Sequence, residues 1–371
     1  MKITIVLGAF FPVPPIMGGA VEKVWFALGQ EFARRGHEVV QISRVHPRLA
    51  RREKIAGVTH IRVSGFSQPR SIVWLKFLDL MYSLRVLSVL PGADVIVTNT
   101  FWLPFLLRNS KRGKVYVHVA RYPKGQLRFY AHAARLQTPS KAIAKAIACE
   151  APRLAPKIKV IPNPTPQSAE SSKPPPISGR EKIILFVGRV HPEKGVHVLI
   201  DAFANKADSA DWKVVVIGPT ENRYGGGGLH YFEQLRCNAA KSAMRVELRG
   251  PVFEPELLAR EFRKARLFVY PSLAERGETF GLAALEAMSH GCAVLVSDLG
   301  CFHDFICEEE TGFFFDHRAA DPAVTLRRKM SKLMASESLL ARVANAGYQK
   351  STEFSLGNVA AQFLQDFESL G

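Results

Sequence analysis

Residues 270–298 read YPSLAERGETFGLAALEAMSHGCAVLVSD, and this stretch decides the fold. It begins at the end of an apolar run, 267–270, crosses a polar turn, enters a helix and leaves through Gly291 into a second apolar run, 293–297. That is one βαβ step, the unit of a parallel sheet. Leu282, Leu285 and Met288 recur at helical spacing and mark the face expected against the sheet. Glu278 falls in the loop before the helix, at the carboxyl end of a strand, which is where open parallel sheets keep their ligands. Thr279, Phe280 and Gly281 follow at the expected helix start, where unpaired N–H groups and the helix dipole favour a phosphate. Glu286 stands further along, with seven residues between it and Glu278. Taken singly, each glutamate has an ordinary reading: one complements the dipole and the other faces water.

Together they say more. The pair, with PS before it, FG inside it and EAM-x-x-G after it, closely resembles the nucleotide-sugar motif of the retaining GT-B glycosyltransferases of family four. In that family the first Glu contacts the donor sugar and the second holds the ribose hydroxyls. The resemblance therefore implies a catalytic Glu278 and a nucleotide-binding Glu286, with Thr279, Phe280 and Gly281 at the phosphates.

The same resemblance reaches other segments. In GRVHPEKG, residues 188–195, Arg189 and Lys194 lie just past a strand at 183–187. Loop cations are ordinarily solvated. Here they match the family's GR-x5-KG arrangement with one residue fewer between the charges, which implies a clamp on the donor diphosphate, Arg through its fork and Lys as a point charge. Val252, after a short strand at 246–248, stands where the family's backbone reads the base. At the other end of the chain, strand 3–7 leads through a Pro-rich loop to Gly18 and Gly19, then a helix and RGHEV. That order resembles the family's opening, whose glycines lie close to the donor diphosphate and the acceptor. His118, in a strand at 115–119, would ordinarily be a satisfied structural residue. The resemblance implies instead a histidine facing the donor sugar. Cys301 and Asp304 stand where the family commonly has Gly and Glu.

Composition sets the limits. With 371 residues, 47% apolar and 22% charged, the chain reads as globular and as two domains. Five cysteines form no CxxC pair and no zinc spacing, so they read as reduced thiols of a cytosolic protein, with no structural metal expected. MKITIVLGAF reads as a first strand and not as a signal peptide. Residues 71–90 are the longest apolar segment, but Lys76, Asp79 and Arg85 argue against a membrane span. Trp74, Phe77, Leu78, Met81 and Leu84 form a helical stripe there, so a buried helix is expected. The run at Gly225, Gly226, Gly227 and Gly228 lacks a following GK[ST] and reads as a flexible loop.

Charge is unevenly placed. Residues 1–160 carry 26 Lys and Arg against 7 Asp and Glu, and the remainder 24 against 26. The cations gather at Arg44, Arg48, Arg51, Arg52 and Lys54, and again at Arg108, Lys111, Arg112, Lys114, Arg121, Lys124 and Arg128. An anionic membrane surface is the expected partner, and a solvated basic face is the plain alternative. The runs lack interleaved aromatics, so nucleic acid is not expected.

The expected architecture is α/β, GT-B, with two Rossmann-like domains facing a central cleft. Its parts are an acceptor domain at 1–165 joined by a returning C-terminal helix at 354–371, a Pro-rich linker at 166–181 and a donor domain at 182–353. The implied reaction moves a hexose-type sugar, with retention, from a nucleoside diphosphate sugar to a hydroxyl of a glycan or glycolipid, as in bacterial cell-surface polysaccharide or lipopolysaccharide assembly. No cofactor or metal is expected, and the place of work is cytoplasmic, peripheral on the inner face of the membrane. A dehydrogenase would need GxGxxG after the first strand, which GAFFPVPPIMGG does not supply. A phosphorylase or sugar-phosphate transferase on the same fold, or a catalytically silent polyanion binder, remain as alternatives.

Overall fold

The structure, a computed structural model, describes residues 1–67, 69, 71–109, 111–165, 173–203 and 211–371. It forms two compact units, Met1–Pro164 with Ser355–Gly371 and Thr165–Phe354. In chain order the first part holds β1 (Lys2–Val6), α1 (Ala20–Arg34), β2 (Glu38–Arg44), β3 (Arg52–Ile55), β4 (Val58–Val63), α2 (Ile72–Val89), β5 (Val95–Thr98), α3 (Leu103–Leu106), β6 (Lys114–His118), β7 (Arg135–Thr138), α4 (Lys141–Glu150) and β8 (Ile158–Val160). The second holds β9 (Glu181–Val187), α5 (Val196–Asp201), β10 (Lys213–Ile217), α6 (Gly228–Lys241), β11 (Arg245–Arg249), α7 (Pro255–Lys264), β12 (Ala265–Tyr270), α8 (Leu282–Ser289), β13 (Ala293–Ser297), β14 (Phe313–Phe315), α9 (Pro322–Met334) and α10 (Glu337–Thr352). Helix α11 (Leu356–Glu368) ends the chain.

Each unit is a twisted open sheet with strands running out from its first strand in both directions. Unit one has the order β3-β4-β2-β1-β5-β6-β7-β8, parallel except where β3 meets β4. Unit two has β11-β10-β9-β12-β13-β14, all parallel. Strands covered on both faces must be apolar throughout, and β5, β12 and β13 are buried at every position. The order reverses beside β1 in unit one and beside β9 in unit two. A crevice opens there at the carboxyl ends of the strands, because successive connections leave on opposite faces.

The last helix belongs to the first sheet. Phe363 meets Trp25 at 5.1 Å between ring centres and Phe367 meets Phe32 at 5.9 Å, so α11 fills the apolar face of α1. Asp366, buried beneath, accepts from the Tyr116 hydroxyl at 2.8 Å and pairs with Arg135 at 2.9 Å.

Three expectations need correction. Helix α2 does not bury its apolar stripe: Trp74, Phe77 and Leu84 are exposed, and the inward residues are Asp79, Tyr82, Ser83 and Val86. What holds this face is polar as well as apolar, since Asp79 accepts from the N–H groups of Phe101 and Trp102 at 3.0 Å each. Burial pushes that carboxyl up to a pKa of about 6. Second, α8 starts at Leu282, with Gly281 as its N-cap in the left-handed region at φ 84°, so Thr279 and Phe280 precede the helix. A Cβ at Gly281 would run into the Phe302 ring, which is why glycine occupies this turn. Third, the expected linker 166–181 is no free tether where it is described. Ile177 and Arg180 are buried, and Arg180 donates to the carbonyls of Pro175, Ala265 and His290. Its residues 166–172 lie outside the described residues.

Candidate functional site

In unit two the loops after β9 and β12 meet at the point where the strand order reverses. The Leu273 N–H donates to the Glu193 carbonyl at 2.8 Å and fastens one loop to the other. Gly195, at φ 67°, permits this approach, because a Cβ there would collide with the Pro271 carbonyl. The result is that Lys194 Nζ donates to Glu278 Oε2 at 2.7 Å, with side chains only 7% and 11% exposed. Ser272 Oγ lies 3.2 Å from the same carboxylate oxygen and fixes its direction. Beneath them lies Tyr270, with Lys194 Nζ 5.6 Å from its ring centre. Burial, reinforced by the Glu278 charge, holds the Tyr270 hydroxyl well above its ordinary pKa, so it stays a neutral donor.

Arg189 stands at the mouth of the same loop, 43% exposed, donating to Glu193 Oε1 at 2.6 Å and to the Gly225 carbonyl at 2.8 Å. That second contact corrects the reading of the four glycines as a flexible loop. The Gly227 N–H donates to the Val190 carbonyl and the Gly228 N–H to the Thr220 carbonyl, both at 2.8 Å. The turn is thereby laid against the Arg189 loop and opens α6.

The remaining residues of unit two take distinct places. Phe280 is buried against Phe305 and Phe354, so only its backbone can meet a ligand. Glu286 is the fifth residue of α8 and half-buried. Val252 sits half-buried in the turn between β11 and α7. Cys301 is buried, and its thiol is driven up by burial and then by the Glu278 charge, which places it as an inert neighbour of the pair.

In unit one Gly18 and Gly19 have φ of 81° and 95°, and Gly19 caps α1. A Cβ on Gly19 would meet the Glu22 carboxylate, which folds back over the helix start and whose pKa is raised by burial. His118 ends β6 and is 5% exposed. Its Nδ1 lies 2.5 Å from Gln137 Oε1 and its ring meets Trp25 edge-on at 5.3 Å. Burial lowers its pKa to about 4, so the imidazole is neutral at neutral pH.

Three cations of the basic runs also bond the fold, Arg112 and Lys114 while remaining exposed. Arg44 donates to the carbonyls of Phe10 and Phe66, Arg112 to those of Leu87 and Leu90, and Lys114 to that of Gly371. These cations hold the fold. Arg48, Arg51, Arg52, Lys54, Arg108, Lys111, Arg121, Lys124 and Arg128 are exposed.

Comparison with known proteins accounts for this arrangement. Residues 167–350 match the family Glycosyl transferases group 1, and residues 17–167 match Glycosyltransferase Family 4. The chain belongs to glycosyltransferase family 4. An uncharacterized glycosyltransferase of Methanocaldococcus jannaschii is 28% identical over 85% of each chain. Phosphatidyl-myo-inositol mannosyltransferase of Mycobacterium leprae is 27% identical, over 51% of this chain and 47% of that one. Among solved structures, sucrose-phosphate synthase of Thermosynechococcus elongatus has a TM-score of 0.81 at 19% identity, covering 100% and 99% of the two chains. HepE of Anabaena, solved in complex with UDP, has a TM-score of 0.71 at 18% identity over both whole chains. These two likenesses show the GT-B fold.

Sequence reasoning left several residues of this glycosyltransferase unnoticed. Ser272 was visible as the second letter of the PS pair, but its bond to Glu278 depends on the turn of residues 273–277. Glu193 lies inside GRVHPEKG and Gly225 opens the glycine run, but neither pattern shows that the two residues hold Arg189. Glu22 reads as an ordinary first-turn acid, and only its burial sets it apart.

Proposed function

We propose that this glycosyltransferase moves a hexose-type sugar from a nucleoside diphosphate sugar to a hydroxyl of a glycan or glycolipid, with retention, at an anionic membrane surface. The observation that carries the reading is the Lys194–Glu278 pair at the reversal point of the unit-two sheet, with Arg189 beside it. A cation and a carboxylate held there meet the two ends of a sugar diphosphate, the anionic leaving group and the hydroxyl-bearing sugar. The bond from the anomeric carbon to the diphosphate oxygen breaks, and the acceptor oxygen bonds that carbon on the same face. The acceptor proton passes to the departing phosphate oxygen. Charge growing on that diphosphate is met by Arg189, by Lys194 and by the N–H groups of Thr279, Phe280 and Gly281.

Glu278 accepts from the sugar and Glu286 from the ribose, while the Val252 turn lies against the base. A UDP complex of a protein of this fold and the likeness to an inositol-lipid mannosyltransferase support a nucleoside diphosphate donor and a lipid-linked acceptor. We assign the acceptor to unit one, where His118 enters as a neutral hydrogen-bonding group, and place the reaction in bacterial cell-surface glycan assembly.

The test compares thermal stabilisation by UDP, GDP and ADP, since a ligand that binds only the folded state raises stability according to its affinity. One diphosphate should raise Tm, and its hexose conjugates should then be hydrolysed slowly without acceptor. No stabilisation by any of the three, in wild type as in Arg189→Ala, would remove the donor assignment.

A further inference from the structure

The apolar face of α2 is turned away from the sheet it lies on. Val73, Phe77 and Leu84 follow at i, i+4 and i+11 on one side of the helix, exposed by 73%, 50% and 46%, and Ile72 and Trp74 beside them by 58% each. The opposite side, with Asp79, Tyr82, Ser83 and Val86, holds the helix to unit one. Helix α3 extends the strip. Its Phe105 is exposed, and Trp102, 6.3 Å from Phe105 between ring centres, donates from Nε1 to the Lys76 carbonyl at 2.8 Å. A continuous aromatic and aliphatic strip on the outside of a sheet domain marks an interaction site. Among the described residues no helix is long and apolar enough to cross a membrane. A helix with one such face lies in an interface and does not span it.

Charge selects the occupant. The segment after β5 runs beside α2 from its second turn, where Trp102 bonds Lys76, to its carboxyl end, where Arg112 bonds the Leu87 and Leu90 carbonyls. Arg108 and Lys111 are exposed on that segment and Lys76 on the helix itself. Residues 66–134 hold ten Lys and Arg against two Asp. Of those two, Asp79 is buried, and Asp94 accepts from the Lys2 N–H at the amino ends of β1 and β5. Exposed tryptophan and phenylalanine flanked by cations suit the headgroup boundary of anionic lipid, where the rings leave water and the cations meet phosphates.

We propose that the outward face of α2, with Phe105, inserts into the headgroup boundary of an anionic bilayer, with Lys76, Arg108 and Lys111 on the lipid phosphates. This deepens the membrane part of the proposed function and is independent of the donor site.

The experiment uses the full chain and phosphatidylcholine vesicles with or without phosphatidylglycerol. Brominated lipid should quench part of the tryptophan emission on anionic vesicles, and Trp74→Phe should reduce that quenched part. Replacing Val73, Trp74 and Phe77 together by Ser should weaken vesicle partitioning about tenfold or more. Stabilisation by the nucleoside diphosphate should stay unchanged in that variant. High salt should weaken wild-type binding by screening the cations. The proposal fails if brominated lipid leaves the emission untouched, or if the triple variant sediments with vesicles as wild type does. It fails equally if wild type ignores vesicles and is a dimer that the triple substitution splits, for then a second copy covers this face. Vesicle binding by wild type without nucleotide stabilisation would strike the donor reading alone.

Discussion

Lys194 and Glu278 lie 84 positions apart in sequence and 2.7 Å apart in space, an ion pair in a nearly dry corner of unit two. Removing one member of such a pair leaves the other charge buried without compensation. We expect Lys194→Met and Glu278→Gln each to destabilise the fold by about 3 kcal/mol, and the double variant by clearly less than the sum. Urea unfolding of the four proteins checks this. Additive effects would mean that the pair is not coupled in solution.

Arg189 should behave differently, because it is half exposed and its bond to Glu193 is a surface ion pair. Arg189→Ala should change stability by less than about 0.5 kcal/mol. Its cost should fall on turnover, about 100-fold in kcat/KM for loss of one donor to the leaving diphosphate. The paired measurement is Tm against steady-state kinetics. A large drop in Tm with intact kcat/KM would contradict the assignment.

The two glutamates should separate kinetically. Glu286→Gln should weaken binding of the free nucleoside diphosphate and raise KM, because a ribose contact is present before and during reaction. Glu278→Gln should lower kcat with less change in KM, because the sugar end changes charge in the transition state. Calorimetric titration of both variants with the free diphosphate decides it, and equal affinities would exclude the ribose role of Glu286.

Acid should loosen the protein well above the carboxylate range. His60, His118 and His290 are buried, and burial holds each at a pKa of about 4, below the unfolded value of 6.5. Between those values the unfolded chain binds more protons than the folded one, so stability is complete above pH 6.5 and falls as pH drops towards 4. Each histidine contributes a slope of about 1.4 kcal/mol per pH unit in that window. Asp79 works the other way between 3.8 and about 6, since its folded pKa is raised. It offsets roughly one histidine. Among the described residues neither ring nitrogen of His60 has a hydrogen-bond partner, so His60→Leu should flatten the slope without lowering stability at pH 7. Chemical unfolding from pH 7 to 4.5 gives the answer, and an unchanged slope in His60→Leu would refute it.

Much of unit two was legible because its elements are short apolar runs separated by turns. In 270–298 the runs fix β12 and β13, and the carboxyl-end loops then place Glu278, Arg189 and Lys194 near one another. That Lys194 bonds Glu278 was not legible, since it depends on how two loops 84 residues apart pass each other. For α2 the periodicity was read correctly and its direction wrongly. Spacing shows which residues share a face, whereas the inward face was chosen by Asp79, whose partners Phe101 and Trp102 lie 22 and 23 positions away. The glycine run misled for a related reason: its anchors at Val190 and Thr220 are backbone carbonyls, which carry no signature in sequence.

Helix α11 gives the chain an order of completion. Its Phe363 and Phe367 close over Trp25, Phe32 and Tyr116, which are made more than two hundred residues earlier. At about 5–20 residues per second of synthesis, the first sheet waits roughly 10–40 s for its last layer, while the whole of unit two is made and can fold in the interval. Unit one is thus the first begun and the last finished, and during that wait its α1 face stays uncovered.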